Sequence, residues 1–238
     1  NSSRSKGKAL ADICGKPMIQ HVYEQAKKAR LLDNLIVATD DRRIYNTVIN
    51  FGGKAVLTKI HSSGTDRIAE VAEKIQADII VNIQGDEPLI SSMMIDSAVS
   101  HFKKDKSAVM GTMKKEITSI EEALNPNIVK VITDKDNNAI YFSRLPIPFL
   151  RDEDSKRKVP LKTYYKHIGL YLYRRPFLLK FSKMKQTPLE KMERLEQLRA
   201  LENGYKIKVY ETEYDTIGVD TSEDLNKVKR LISKGRKD

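Results

Sequence analysis

Apolar and polar positions follow two rhythms along this chain, and the rhythm changes near residue 105. In the first half, short apolar runs alternate with apolar residues at helical spacing. Asn34-Leu35-Ile36-Val37-Ala38-Thr39, Lys54-Ala55-Val56-Leu57 and Asp78-Ile79-Ile80-Val81-Asn82-Ile83 read as strands. Between them Ile19, Val22, Ala26 and Ala29 predict a helix opened by Pro17. Ile44, Val48 and Ile49 predict a second, capped by Asp40 and ended by Gly52-Gly53. Ile68, Val71, Ala72 and Ile75 predict a third, and Met94, Ala98 and Phe102 a fourth. Strand–helix alternation of this kind implies right-handed βαβ units and a parallel sheet. By the same logic a strand should precede the basic loop at residues 1–8, so the native chain is expected to begin earlier.

The second half predicts antiparallel pairing. Ala108–Met113 and Asn127–Ile132 read as strands, and Ala139–Phe142 pairs back across the turn at residues 134–138. Pro146 and Pro148 block regular structure, and residues 150–163 form a charged loop. In the strand Tyr165–Tyr173, one face carries His167, Gly169, Tyr171 and Tyr173, too polar and aromatic for plain core. A continuous helix is expected from Leu189 to Asn203, then a strand at Ile207–Tyr210. A last helix follows Thr221-Ser222-Glu223-Asp224, which has capping-box spacing. The whole reads as one α/β domain spanning 1–238, with residues 107–180 as the antiparallel excursion.

The chain has 238 residues and a formal net charge of +11, which favours anionic ligands such as nucleotides, phosphates, sugar acids or nucleic acid. Its one cysteine, Cys14, excludes an intramolecular disulfide and points to the cytosol. No apolar run reaches transmembrane length.

Candidate chemistry sits at strand ends. Gly85-Asp86-Glu87-Pro88 stops the most apolar strand abruptly and places Asp86 past its carboxyl end, where open α/β sheets bind ligands. Asp220 follows a second short apolar run. Two such carboxylates can share a divalent cation, while Arg4 and Lys8 in the opening loop can neutralise phosphate. The Ser63-Gly64-Thr65 loop opens a helix, and its amides suit an anion or the edge of a base. This is the electrostatic requirement of phosphoryl or nucleotidyl transfer. No Walker loop and no Gly-x-Gly-x-x-Gly fingerprint occurs.

These segments, in this order, resemble the 3-deoxy-manno-octulosonate (Kdo) cytidylyltransferase family. They are Ser2-x-Arg4-x-x-Gly7-Lys8, Gly15-Lys16-Pro17-Met18-Ile19, Val37-Ala38-Thr39-Asp40, Ser63-Gly64-Thr65-Asp66-Arg67 and Gln84-Gly85-Asp86-Glu87-Pro88. Further along come Asn125-Pro126-Asn127, Tyr141-Phe142-Ser143-Arg144, His167-Ile168-Gly169-Leu170-Tyr171, Leu195-Glu196-Gln197-Leu198-Arg199 and Gly218-Val219-Asp220-Thr221. The resemblance implies a nucleotide-diphospho-sugar transferase (Rossmann-like) α/β fold, mostly parallel with an antiparallel excursion. It implies a cytoplasmic homodimer that uses Mg²⁺, with CTP and Kdo as substrates and CMP-Kdo and pyrophosphate as products, serving lipopolysaccharide synthesis. Carried onto this chain, Asp86 and Asp220 would hold the metal, and Arg4, Lys8 and Asp86 would act in catalysis. Arg4, Lys8, Ser63, Gly64 and Gln84 would bind the nucleotide. Arg144, His167, Tyr171, Glu196 and Gln197 would bind the sugar acid. The family has a strand and a Pro-Ala-Arg-like segment before the basic loop, and usually Pro-Gly-Lys-Pro where this chain reads Lys6-Gly7-Lys8-Ala9.

Two other readings compete. A cytidylyltransferase for another acidic sugar, an amino-Kdo or a sialic acid, would share most of these residues. A basic nucleic-acid-binding protein would need neither Asp86 nor Asp220. The expectation is no nucleic acid and no membrane insertion.

Overall fold

The computed structural model describes residues 7–149, 151 and 163–234. A 3-10 turn at Lys8–Leu10 leads to β1 (Asp12–Ile13) and β2 (Lys16–Pro17). Then come α1 (Met18–Ala26), β2's successor β3 (Val37–Thr39), α2 (Arg42–Asn50), β4 (Ala55–Leu57), α3 (Gly64–Glu73) and β5 (Ile79–Asn82). Next are α4 (Ser92–Lys104), β6 (Met110–Glu116), α5 (Ile120–Leu124), β7 (Lys130–Thr133) and β8 (Ala139–Ser143). The chain continues through β9 (Tyr165–Arg174), α6 (Arg175–Phe181), α7 (Pro188–Glu193), α8 (Leu198–Glu202), β10 (Ile207–Glu211) and α9 (Ser222–Lys234).

These elements form two compact units. The first takes in the described residues up to Asp78, Asn82–Ser100, and those from Asp215 onward. There β3 and β4 pair in parallel, Val37 opposite Ala55 and Thr39 opposite Leu57. Ile44 and Val48 of α2 pack with Ile19 of α1, and Val37, Phe51 and Ala55 close the cluster. Ile49 is 46% exposed and takes no part in that core. A second cluster joins Ile13 and Met18 to Val219 and Val228, with Leu89, Ile217 and Leu225 against it. It anchors α9 and the segment before it to the β1–β2 pair. The cap of α2 is Asp41, whose side chain accepts from the Arg43 amide at 2.8 Å. Asp40, expected in that role, instead pairs with Arg67 at 2.9 Å.

The second unit comprises Ile79–Val81 and His101–Tyr214. Its sheet runs β10-β6-β9-β7-β8, with β5 also on β9. β10 lies parallel to β6, whereas β6–β9, β9–β7 and β7–β8 are antiparallel, so this is the expected α/β class with a mixed sheet. Lys166, Ile168, Leu170 and Leu172 of β9 are buried in alternation. The β6–β9 register shifts between Thr112 and Met113, where a bulge bends the ladder.

The helix expected over Leu189–Asn203 is broken. α7 ends at Glu193, its C-cap Arg194 adopts φ +55°, and α8 starts at Leu198. The reason lies nine residues apart. Arg199 Nε donates to Glu190 Oε2 at 2.8 Å, and both residues are 4% exposed. On one continuous helix, residues nine apart point to opposite faces with a rise of about 13 Å between them. The break folds the chain back so that the pair can form. Gly204, at φ +78°, then lets the chain leave α8. The charged loop expected at 150–163 lies mostly outside the described residues.

Candidate functional site

In the first unit the end of β5 and the start of α9 meet. After Asn82 the chain turns, with the Glu87 amide donating to the Gln84 carbonyl at 3.3 Å. Gln84 itself donates to Asn82 Oδ1 at 3.4 Å. The Val219 amide donates to the Asp86 carbonyl at 2.9 Å, which locks the two acidic loops side by side. Beyond Asp220 a capping box holds the loop. The Asp224 amide donates to Thr221 Oγ1 at 3.1 Å, and the Thr221 amide donates to Asp224 Oδ2 at 2.8 Å.

Lys8 completes this cluster. Its Nζ lies 2.9 Å from Asp220 Oδ1 and 3.9 Å from Asp86 Oδ2. Burial pushes the Asp86 carboxyl above its ordinary value; Lys8 counters this and the Asp220 charge adds to it. Glu87 is 7% exposed, and burial plus the adjacent Asp86 raise it to about 8, against a hydrogen bond with Thr216. Two carboxylates against one ammonium leave the trio of Lys8, Asp86 and Asp220 with a net negative charge. Carboxylate oxygens of this kind fit a hard divalent cation such as Mg²⁺. Among the described residues no group of three or more His, Cys, Asp or Glu is arranged for a metal. Two carboxylates suffice for Mg²⁺ when phosphate and water fill the other positions.

Arg4 lies outside the described residues. Ser63 caps α3, its Oγ accepting from the Asp66 amide at 3.1 Å, and Gly64 is the first residue of that helix. Arg67 is fixed between Asp40 and Thr58, at 2.9 and 3.0 Å.

In the second unit, His167 stands between the rings of Phe142 and Tyr171, at centroid distances of 5.1 and 5.3 Å. Its Nε2 is 2.9 Å from Thr112 Oγ1, a hydroxyl also within 3.0 Å of the Ile168 and Leu170 carbonyls. Burial among these groups pushes the imidazole down to about 3, so His167 is neutral at physiological pH. Arg144 follows β8. Its Nε donates to the Glu193 carbonyl at 2.8 Å and its Nη1 to the Pro126 carbonyl at 3.2 Å. Glu196 lies 3.4 Å from the Arg199 guanidinium. Gln197 is 4% exposed, and its Nε2 has no hydrogen-bond partner among the described residues.

Sequence reasoning did not pick out Glu193, Glu190 or Lys130. Glu193 Oε1 accepts from Ser143 Oγ at 3.0 Å and Oε2 from the Arg144 amide at 3.1 Å. Lys130 is fully buried, and burial and the nearby Arg144 charge lower its pKa while Glu193 opposes them. The one available signal was a lysine inside the apolar alternation of Ile128–Ile132.

The family described as cytidylyltransferase matches residues 1–207. A 3-deoxy-manno-octulosonate cytidylyltransferase from Geotalea uraniireducens is 54% identical over 239 residues, covering 98% of this chain and 95% of that protein. A solved structure of CMP:2-keto-3-deoxy-manno-octonic acid synthetase complexed with CTP is similar with a TM-score of 0.90 and 41% identity. It covers 99% of this chain and 95% of that one. A putative glucose-1-phosphate thymidylyltransferase from Bacillus anthracis shares the fold, with a TM-score of 0.65 at 16% identity over 96% of this chain and 87% of that one.

Proposed function

The chain belongs to the 3-deoxy-manno-octulosonate cytidylyltransferase family, and we propose that it activates Kdo with CTP, forming CMP-Kdo and releasing pyrophosphate. The observation that carries this reading is the cluster in which Lys8 bridges Asp86 and Asp220. The anomeric hydroxyl of Kdo attacks the α-phosphorus of CTP. The new P–O bond forms as the bond to the bridging oxygen breaks, pyrophosphate leaves, and the hydroxyl proton passes to water.

Each residue class has a distinct task. Lys8, with Arg4, binds the triphosphate and spreads its developing negative charge. Asp86 and Asp220 hold Mg²⁺. When bound, Mg²⁺ supplies Lewis-acid stabilisation of the phosphate charge and lowers the pKa of the attacking hydroxyl. Ser63, Gly64 and Gln84 meet the nucleotide. Arg144 takes the sugar carboxylate through charge-assisted hydrogen bonds. Neutral His167, Tyr171, Glu196 and Gln197, whose Nε2 has no partner among the described residues, meet sugar hydroxyls. The product is the activated sugar for lipopolysaccharide synthesis, made in the cytoplasm where CTP is available.

We read the working form as a homodimer. The support is apolar exposure within residues 107–180: Leu124 is 62%, Ile140 56% and Leu145 70% exposed. Light scattering of the purified chain tests this, and a monomer at micromolar concentration would refute it.

The test of the activity is pyrophosphate release with CTP and a panel of Kdo, an amino-Kdo and a sialic acid, with and without Mg²⁺. Turnover with Kdo, dependent on CTP and on Mg²⁺, is expected. Turnover confined to another sugar acid would overturn the substrate assignment.

A further inference from the structure

We propose that Lys130 and Glu193 form a clamp on the backbone of Arg144 that sets the aim of its guanidinium and so the preference for a carboxylate-bearing sugar. This rests on the reading that Arg144 takes the sugar carboxylate, and it adds two positioning residues to that site.

Lys130 is 0% exposed. Its Nζ donates to the carbonyls of Asn125 at 2.9 Å, Ile128 at 2.6 Å and Arg144 at 2.6 Å. An ammonium has three donors, so all are spent on main-chain carbonyls. Burying a charge for carbonyl partners alone is costly. What the ammonium adds is geometry. It ties the 125–128 turn to residue 144, and the Pro126 carbonyl in that turn is where Arg144 Nη1 rests, at 3.2 Å. The backbone from which the side chain springs and the support under its tip are therefore held by one ion.

Glu193 grips from the other side. Its carboxylate accepts from the Arg144 amide at 3.1 Å and from Ser143 Oγ at 3.0 Å, and its carbonyl accepts from Arg144 Nε at 2.8 Å. Residue 144 is thus bound at its amide, its carbonyl and its Nε. Among the described residues, two of the five guanidinium N–H donors are committed, on Nε and Nη1. Nη2 and the second hydrogen of Nη1 remain for a planar two-oxygen partner. A carboxylate is that partner, received at the end of the fork.

Kinetics on the purified chain with CTP, Mg²⁺ and Kdo test the clamp. The variants are Lys130→Met, Glu193→Gln and Arg144→Ala, with each of the first two also combined with Arg144→Ala. Lys130→Met and Glu193→Gln should each lower kcat/KM for Kdo about tenfold while KM for CTP stays within about twofold. In the Arg144→Ala background the same changes should cost less than about twofold, because the clamp then has nothing to aim. Equal losses in both backgrounds, or parallel losses for CTP and Kdo, would overturn the clamp while leaving the Arg144 assignment intact. An Arg144→Ala enzyme with unchanged kcat/KM for Kdo would remove the assignment itself. Should Lys130→Met fail to fold, the Glu193→Gln cycle decides alone.

Discussion

Replacing Arg199 with Met should cost the protein a large part of its stability, and the structure says how much. Arg199 and Glu190 are both 4% exposed, joined by Nε to Oε2 at 2.8 Å and by a second contact from Nη2 to Oε1. Met fills much of the arginine stem and can keep apolar contact with Phe181, whose ring centroid lies 5.0 Å from Arg199 Cζ. It cannot neutralise Glu190. Among the described residues that carboxylate would retain the Thr187 amide at 3.2 Å and Gln186 Nε2 at 3.4 Å. Breaking one side of a buried ion pair costs about 3–5 kcal/mol, a factor of roughly 100 to several thousand in the folding equilibrium. The partner change Glu190→Leu should restore much of the loss, since the double variant leaves no unpaired buried charge. Urea unfolding followed by far-UV circular dichroism measures this, the chain having no tryptophan to report by fluorescence. A loss below about 1 kcal/mol for Arg199→Met, or a double variant that costs the sum of the singles, would refute the reasoning. The same variant should weaken sugar-acid use before CTP use, because the break between α7 and α8 carries Glu196 and Gln197 and begins just after Glu193.

Two further outcomes follow from local geometry. His167 falls from 6.5 unfolded to about 3 folded, so the unfolded chain binds the extra proton and stability is lost as pH falls between those values. Wild type should lose about 2.5 kcal/mol more than His167→Phe between pH 7 and pH 4.5, and equal slopes in urea titrations across that range would contradict the burial of a neutral ring. Ser63→Ala should cost about 1 kcal/mol through the lost α3 cap and Ser63→Asp little; a CTP affinity below that of wild type in Ser63→Asp, which keeps the cap, would separate nucleotide contact from capping.

The part of the fold visible in the sequence was the part set by local chemistry. β5 declared itself through consecutive Ile and Val, and its end through Gly85 and Pro88. The start of α9 declared itself through Thr221 and Asp224, which the structure joins in both directions. Asp40 and Asp41 were harder, because either could cap α2 and only the distant Arg67 decides between them. The break at Arg194 was illegible for a similar reason. Local spacing favoured one helix, and a pair nine residues apart overrode it. Lys130 carries no local signal of its role, which depends on three carbonyls of residues 125, 128 and 144 that capture its ammonium. Of the candidate site, the structure brings Lys8, Asp86 and Asp220 close together, and Arg4 lies outside the described residues.

The most direct test of the account is pyrophosphate release from CTP and Kdo with Mg²⁺, comparing wild type with Asp86→Asn and Asp220→Asn. Each variant should retain its fold by circular dichroism and lose activity by a factor of about 100 or more, because on the proposed reading each removes a carboxylate that would hold the metal against the reacting phosphate. Near-normal pyrophosphate release by either folded variant would contradict the assignment of this cluster as the reaction centre.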